Sequence, residues 1–393
     1  MKSIKTFLSV ILREWKLFFS DPAVFLLVVV AVGLYAVYYP LPYLNQTVSK
    51  VPVAIVDLDG SKMSRELVRM SQSTQSLDVV AVYDDMDSAE IAMAETRVYG
   101  IMRIPENMER RVQRGENVAV GIYTHGSYVM LHGAIGTAFA TCVATLSAPI
   151  KVKRLVLSRG LSLAEAKSIR DPFPVQFRTM FNGISGYANY VVPAVLVLIL
   201  QQTIIVGTCT LGGPRRNRKF LRHKNLPEEK SPAWMRYIGR GFAFFVHYCI
   251  WIAIFHYFIY ALFEFPRRGD VVTIAAFAAS FLPATIAFAF VCSLAFRRRE
   301  SAMQFFLFLS IPFLFMSGFS WPRSSMPEWM QWLSCLVPST YAVPAWLAVE
   351  QLGASLWEIS HYLYALLCQA LGYGILGYIL LKLRDRHPGK GDI

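Results

Sequence analysis

Asp57 and Asp59 close the apolar run Val51–Val56 and form the most enzyme-like pair in the sequence. Two carboxylates that close could divide general-acid and general-base work. Gly60 and Ser61 follow them, however, and Asp and Ser beside Gly bond their own backbone in turns and helix caps. The pair therefore reads as a turn that starts a helix. His125 and His132 read as surface or packing residues. His247 and His256 share one apolar run, but their nine-residue spacing points them to opposite sides of a helix. Neither a common metal nor a proton relay through both is expected. The six cysteines stand singly, with no CxxC and no Cys/His grouping at zinc spacing, which argues against a disulfide framework or structural metal. HExxH and GxSxG are absent too.

Nucleotide chemistry is missing in the same way. No GxxxxGK[ST] occurs, so the backbone cradle and lysine that hold ATP phosphates are not encoded. Gly212-Gly213-Pro214 comes nearest, but its spacing is wrong and proline removes a needed N–H. Inside the apolar runs the most polar adjacent pair is Gln201 and Gln202. Two roles suit it: hydrogen bonding between helices, or lining a substrate path. No Asp, Glu, Lys or Arg falls in the middle of a run. Ion-driven transporters place such groups in the bilayer despite their cost, so the sequence points to an external source of energy.

The elements that would position these residues are membrane helices. The chain is 55% hydrophobic and only 17% charged, below the roughly 25% of a soluble domain. Apolar runs lie at Ala23–Tyr39, Tyr190–Leu211, Gly241–Phe263, Val271–Phe296, Met303–Phe319 and Tyr362–Leu381. Each approaches the roughly 20 residues needed to span a bilayer. The first ends in Tyr35, Tyr38 and Tyr39 rather than small residues, so it reads as a retained anchor, not a cleaved signal.

The net charge of +13 sits in short clusters between these runs. One is Arg215, Arg216, Arg218, Lys219, Arg222 and Lys224; another is Arg297-Arg298-Arg299; others flank the termini. That is the positive-inside pattern and not a nucleic-acid surface, and it predicts six spans with both termini cytoplasmic. Tyr128–Ile150 is uncharged and is the rival seventh span. Counting it would move the Arg215 cluster outside, so it reads as a helix of a soluble domain.

Ahead of the first span, Ile4, Phe7, Leu8, Ile11, Leu12, Trp15, Phe18 and Phe19 share a helical face, with Lys5, Ser9, Arg13 and Lys16 facing away. Residues 1–20 are thus an amphipathic surface helix, either a plain anchor or one whose polar face meets a cytoplasmic partner. Residues 21–40 form the first span, 41–186 an extracytoplasmic domain, and 187–393 the remaining five. In the domain, Val51–Asp57, Val79–Tyr83, Tyr99–Ile104 and Val118–Tyr123 are strand candidates. Helices fall between them, capped by Ser61, capped by Ser88, and bracketed by Pro105 and Gly115. The fold class is an α-helical polytopic membrane protein with an inserted α/β domain. Asp171-Pro172-Phe173-Pro174 returns the chain to the membrane in extended form.

Three stretches resemble the type-2 ABC exporter permeases (type V exporters), in the subgroup with a large external domain. They are Val53–Asp59 with Tyr99-Gly100-Ile101 to Ile104-Pro105; Met180-Phe181-Asn182 with Tyr190-Val191-Val192-Pro193; and Pro312 through Ser317-Gly318-Phe319, Trp321-Pro322, Met326-Pro327, Trp329 and Gln331-Trp332-Leu333 to Pro338-Ser339-Thr340-Tyr341. With the six spans, the resemblance covers nearly the whole chain. It implies a permease that moves a hydrophobic or amphipathic substrate outward and carries no cofactor, with ATP and Mg on separate ABC ATPase subunits.

It also implies pairing with a second permease subunit, identical or paralogous, in a bacterial inner membrane, with a periplasmic adaptor and outer-membrane channel as further partners. Docking of the ATPase would fall on Ile4–Phe19 and Leu211–Arg240, including Arg13, Lys16, Arg215, Arg216, Arg218, Lys219 and Arg222. The proline-broken hairpin near 318–346, led by Ser317, Gly318, Phe319, Trp321 and Pro322, would cap the exit path. Many relatives carry Glu-Arg-Gly-Thr just after the second span, whereas this chain has Gly212-Gly213-Pro214-Arg215-Arg216, a departure within the expected docking segment. Two other readings are a membrane receptor or scaffold whose external domain binds a ligand, and a membrane-embedded enzyme, which lacks a motif here.

Overall fold

The computed structural model describes residues 2–170, 186–212, 232–296 and 298–386. Two compact units divide the chain: Thr47–Arg178, and Met1–Gln46 together with Thr179–Ile393.

In Thr47–Arg178 four strands form one sheet in the order β2-β1-β3-β4. They are β1 (Val51–Asp57), β2 (Leu77–Tyr83), β3 (Gly100–Ile104) and β4 (Gly121–Thr124). The first three run parallel and β4 antiparallel to β3. Central β1 is almost continuously apolar because both its faces are covered. Val53, Ile55 and Met102 enter one core, while Ala54, Val56 and Ile101 enter the other.

The helices α3 (Lys62–Gln72), α4 (Met86–Ala94) and α5 (Met108–Gln113) fill the connections expected of them. Ser61 caps α3 as expected, its hydroxyl accepting from Ser64 N at 3.1 Å. The cap of α4 is Asp85 rather than Ser88. Asp85 holds the extended backbone an N-cap requires, and its carboxylate accepts from the N–H and hydroxyl of Ser88.

The uncharged run becomes α6 (Val129–Arg159), which lays Ile135, Phe139 and Cys142 against the sheet. Arg154 ties its far end to Val112 O and Gly115 O at 2.8 and 3.1 Å. Helix α7 (Leu163–Arg170) follows.

The other unit is helical. It contains α1 (Lys2–Ser20), α2 (Pro22–Tyr43), α8 (Tyr187–Gly212), α9 (Ala233–Leu262), α10 (Val271–Ala295) and α15 (Ser360–Arg386). Between α10 and α15 come α11 (Arg299–Phe308), α12 (Ser310–Met316), α13 (Glu328–Ser334) and α14 (Ser339–Leu352).

Six described helices are long and apolar enough to cross a membrane. Five match expected spans; the sixth by length is Met130–Arg159 within α6, not the run at 303–319. That run forms the shorter helix Glu300–Met316, interrupted at Leu309. Its contacts still follow α8 from its start to its middle: Tyr190 donates to Phe319 O and Gln202 donates to Phe306 O.

A π-turn at Leu26–Ala31 of α2 gives Val28 O a place to accept from Trp251 Nε1 at 3.1 Å, with His247 Nε2 at 3.0 Å. His247 thus serves α2, while His256 faces the hairpin arm α14. The two histidines diverge as their spacing requires.

Candidate functional site

Proline starts and stops the segment after α12. Gly318 adopts φ +81°, a turn open to glycine, and an added Cβ would meet Arg323 Cγ at 3.1 Å. Pro327 begins α13, and Pro338 follows it after three further residues. Helices α13 and α14 consequently meet at 82°.

The depth of this elbow follows from its partners. Tyr373 OH donates to Leu336 O and Gln369 Nε2 to Cys335 O, both at 2.7 Å. Those residues lie roughly 14–20 Å along α15 from Ser360 at helical rise. Gln201 lies roughly 21 Å along α8 from Tyr187 by the same measure. Its Oε1 accepts from Ser339 N at 2.7 Å, and its Nε2 donates to Ser339 Oγ at 3.1 Å. The elbow therefore sits about halfway along the helices that flank it, and α14 climbs back to the Arg268 and Asn189 end.

Inside a bilayer, irregular chain survives only where protein supplies its polar partners. Gln201, Gln369 and Tyr373 do this from outside the hairpin. Within it, Thr340 Oγ1 donates to Ser334 O at 2.7 Å and bonds Met316 O at 3.2 Å. Arg323 braces the turn through Gln331 O and Cys335 Sγ. The arrangement is a sharply bent helix pair with a supported elbow.

The chain matches the family model for the ABC-2 family transporter protein over residues 23–379. It belongs to the ABC-2 transporter family. As such it is a multi-pass transmembrane permease subunit of an ABC transporter, working with ABC ATPase subunits. No curated protein matches it.

Within this ABC-2 permease the expected site residues separate. Gln201 is buried and fully used by Ser339; half-buried Gln202 joins α8 to α11. Both act as links between helices here. Ser317 is buried with its hydroxyl on Leu314 O, Phe319 packs on Tyr190, and Trp321 and Pro322 are exposed. Arg215, Arg216, Arg218, Lys219 and Arg222 lie outside the described residues, as do Met180-Phe181-Asn182 and Asp171–Pro174.

Arg13 and Lys16 lie on α1, Arg13 half-buried with a polar contact and Lys16 exposed. The apolar face expected for α1 divides in two. Phe18 is buried edge-on to Phe244 of α9 and Trp15 Nε1 donates to Ala243 O at 3.0 Å, while Val10 and Leu17, outside that face, are buried as well. Leu8, Leu12 and Phe19 stay exposed. Buried Glu14 was not foreseen on this helix.

The enzyme-like carboxylates are turn residues. Asp57 accepts from Asp59 N, Gly60 N and Ser64 Oγ, and Asp59 accepts from Glu109 N. Glu109 in turn accepts from Lys62 N. This network joins the loops after β1 and β3, the switch point where open α/β sheets hold ligands. It spends its polar groups on the fold itself. Among the described residues no group of three metal-ligating side chains forms.

Glu350, which lies outside the six apolar runs and carries no role in the sequence reading, is fully buried at the end of α14, and its Oε1 lies 2.8 Å from His256 Nδ1. The signal was available: Glu350 is the lone charge in the run Ala342–Leu352, directly after Ala348-Val349.

Proposed function

We propose that this permease exports a hydrophobic or amphipathic substrate and that the hairpin closes its outer exit. The supporting observation is the elbow, braced from both sides at mid-depth. A segment so placed can seal a path without covalent chemistry. Helices α2, α8, α9, α10, α11–α12 and α15 would be the six spans, with both termini cytoplasmic and the α/β unit extracytoplasmic. The packing of α6 on the sheet supports leaving it out of the bilayer. ATP and Mg would be held by partner subunits docked on the exposed side of α1, near Lys16, and on the basic segment around Arg215–Arg222. Their closure would move α1 and, through Trp15 and Phe18, α9. A second permease copy, identical or paralogous, would complete the path. A bacterial inner membrane with an adaptor and outer-membrane channel is the setting the family resemblance favours.

Reconstitution with a candidate ATPase tests the reading. We expect ATP hydrolysis stimulated by substrate, and outward movement of that substrate only with ATP. Transport by this chain alone, driven by an ion gradient in ATP-free vesicles, would sink it.

A further inference from the structure

Buried carboxyl groups call for compensation, and Glu350 has little. Its residue is fully buried, Oε1 meets only His256 Nδ1, and Oε2 has no hydrogen-bond partner among the described residues. An ionised carboxylate offers about four acceptor positions and is costly to bury with one filled. A protonated carboxyl needs one acceptor for its O–H, and a neutral imidazole nitrogen at 2.8 Å supplies it.

The surroundings agree. His256 is itself buried, with the ring of Tyr257 edge-on at 4.7 Å. Tyr260, which the charge of an ionised Glu350 would reach, has its oxygen occupied by Trp346 Nε1 at 2.8 Å. From the loop before α10, Arg267 is the cation whose field reaches both groups, and its side chain is exposed. Arg268 contributes its backbone N–H to Glu350 O. Helix α10 and the start of α15 offer Ile274, Ala276, Ile359 and Tyr362 beside Val349. The charged groups there, Asp270 capping α10 and Glu358 in the turn before α15, are exposed and already bonded to Thr273 and Ser355. Among the described residues no carboxylate or cation in this shell replaces the shared proton.

We propose that Glu350 and His256 form a buried site for a single proton that latches the returning arm of the hairpin, α14, to α9. With that proton present the pair is neutral and bonded. Its loss leaves a buried negative charge facing an imidazole and a tyrosine, and the arm separates from α9 to hydrate it. Gln201 holds the deep end of α14 and this latch holds the shallow end. The inference rests on the fold and not on the direction of transport.

Infrared difference spectra of the full-length protein in nanodiscs, taken across pH, test the site. A protonated-carboxyl band should persist above neutral pH in the wild type and be missing from Glu350→Gln, which keeps the shape and hydrogen bonding. Hydrogen–deuterium exchange over 339–352 reads the latch. Wild-type exchange relative to Glu350→Gln at the same pH should rise roughly five- to tenfold as the band disappears, the effect of one lost hydrogen bond. Absence of the band at every pH where the protein is folded overturns the site. An unchanged exchange ratio through the loss of the band overturns the latch. Should Glu350→Gln not fold, wild-type band and wild-type exchange, corrected for intrinsic rate, must still change together.

Discussion

Replacing Gln201 with leucine should destabilise the membrane unit more than its shape change suggests. Two hydrogen bonds disappear, Oε1 with Ser339 N at 2.7 Å and Nε2 with Ser339 Oγ at 3.1 Å. Side-chain bonds between membrane helices average about 0.6 kcal/mol and reach about 1.7. The backbone N–H of Ser339 is also left unpartnered in a buried setting, at about 1–3 kcal/mol. Gln201→Leu should therefore cost about 2–4 kcal/mol. Ser339→Ala removes only the hydroxyl bond and should cost about 0.6 kcal/mol. Because the hydroxyl has no partner once Gln201 is gone, the double variant should match Gln201→Leu. Reversible unfolding in mixed micelles measures all three. The reasoning fails if Gln201→Leu lies within about 0.5 kcal/mol of wild type, or if Ser339→Ala is equally costly.

Other outcomes follow from packing and capping. Gly207→Ala puts a Cβ 2.7 Å from Val28 Cγ1 between α2 and α8, which should cost about 1–3 kcal/mol in the same unfolding assay, with Val28→Ala restoring it. In the α/β unit, Phe139→Ala empties a buried ring site between α6 and the sheet and should cost about 3–5 kcal/mol, read as faster proteolysis of that unit. Asp85 is held below the usual carboxylate range by the N–H and hydroxyl of Ser88. Its contribution to α4 is therefore complete above the ordinary Asp range and lost as pH falls through the depressed value. Amide exchange in Met86–Ala94 should quicken in acid, whereas in Asp85→Asn, an uncharged cap, it should stay flat.

Sequence alone determined what depends on local pattern. Apolar runs fixed five of the six long helices because length and hydropathy decide insertion. Val51–Asp57 was legible as a strand to the residue, since continuous apolar character with β-branching marks a strand covered on both faces. The turn at Asp57–Ser61 was legible for the same local reason.

Tertiary structure decided whatever depends on which residues meet. Gln201 and Ser339 stand far apart in the chain, and nothing local says that the first caps the half-helix begun by the second. The exchange of Ser88 for Asp85 as cap turned on backbone conformation, not residue type. Glu350 lies outside the six apolar runs, beside Gln351 and Gly353. Its burial comes from α9 and α10 closing over it, an arrangement written in the packing of distant helices. Periodicity settles which face of a helix is apolar, but only the assembled bundle settles what that face touches.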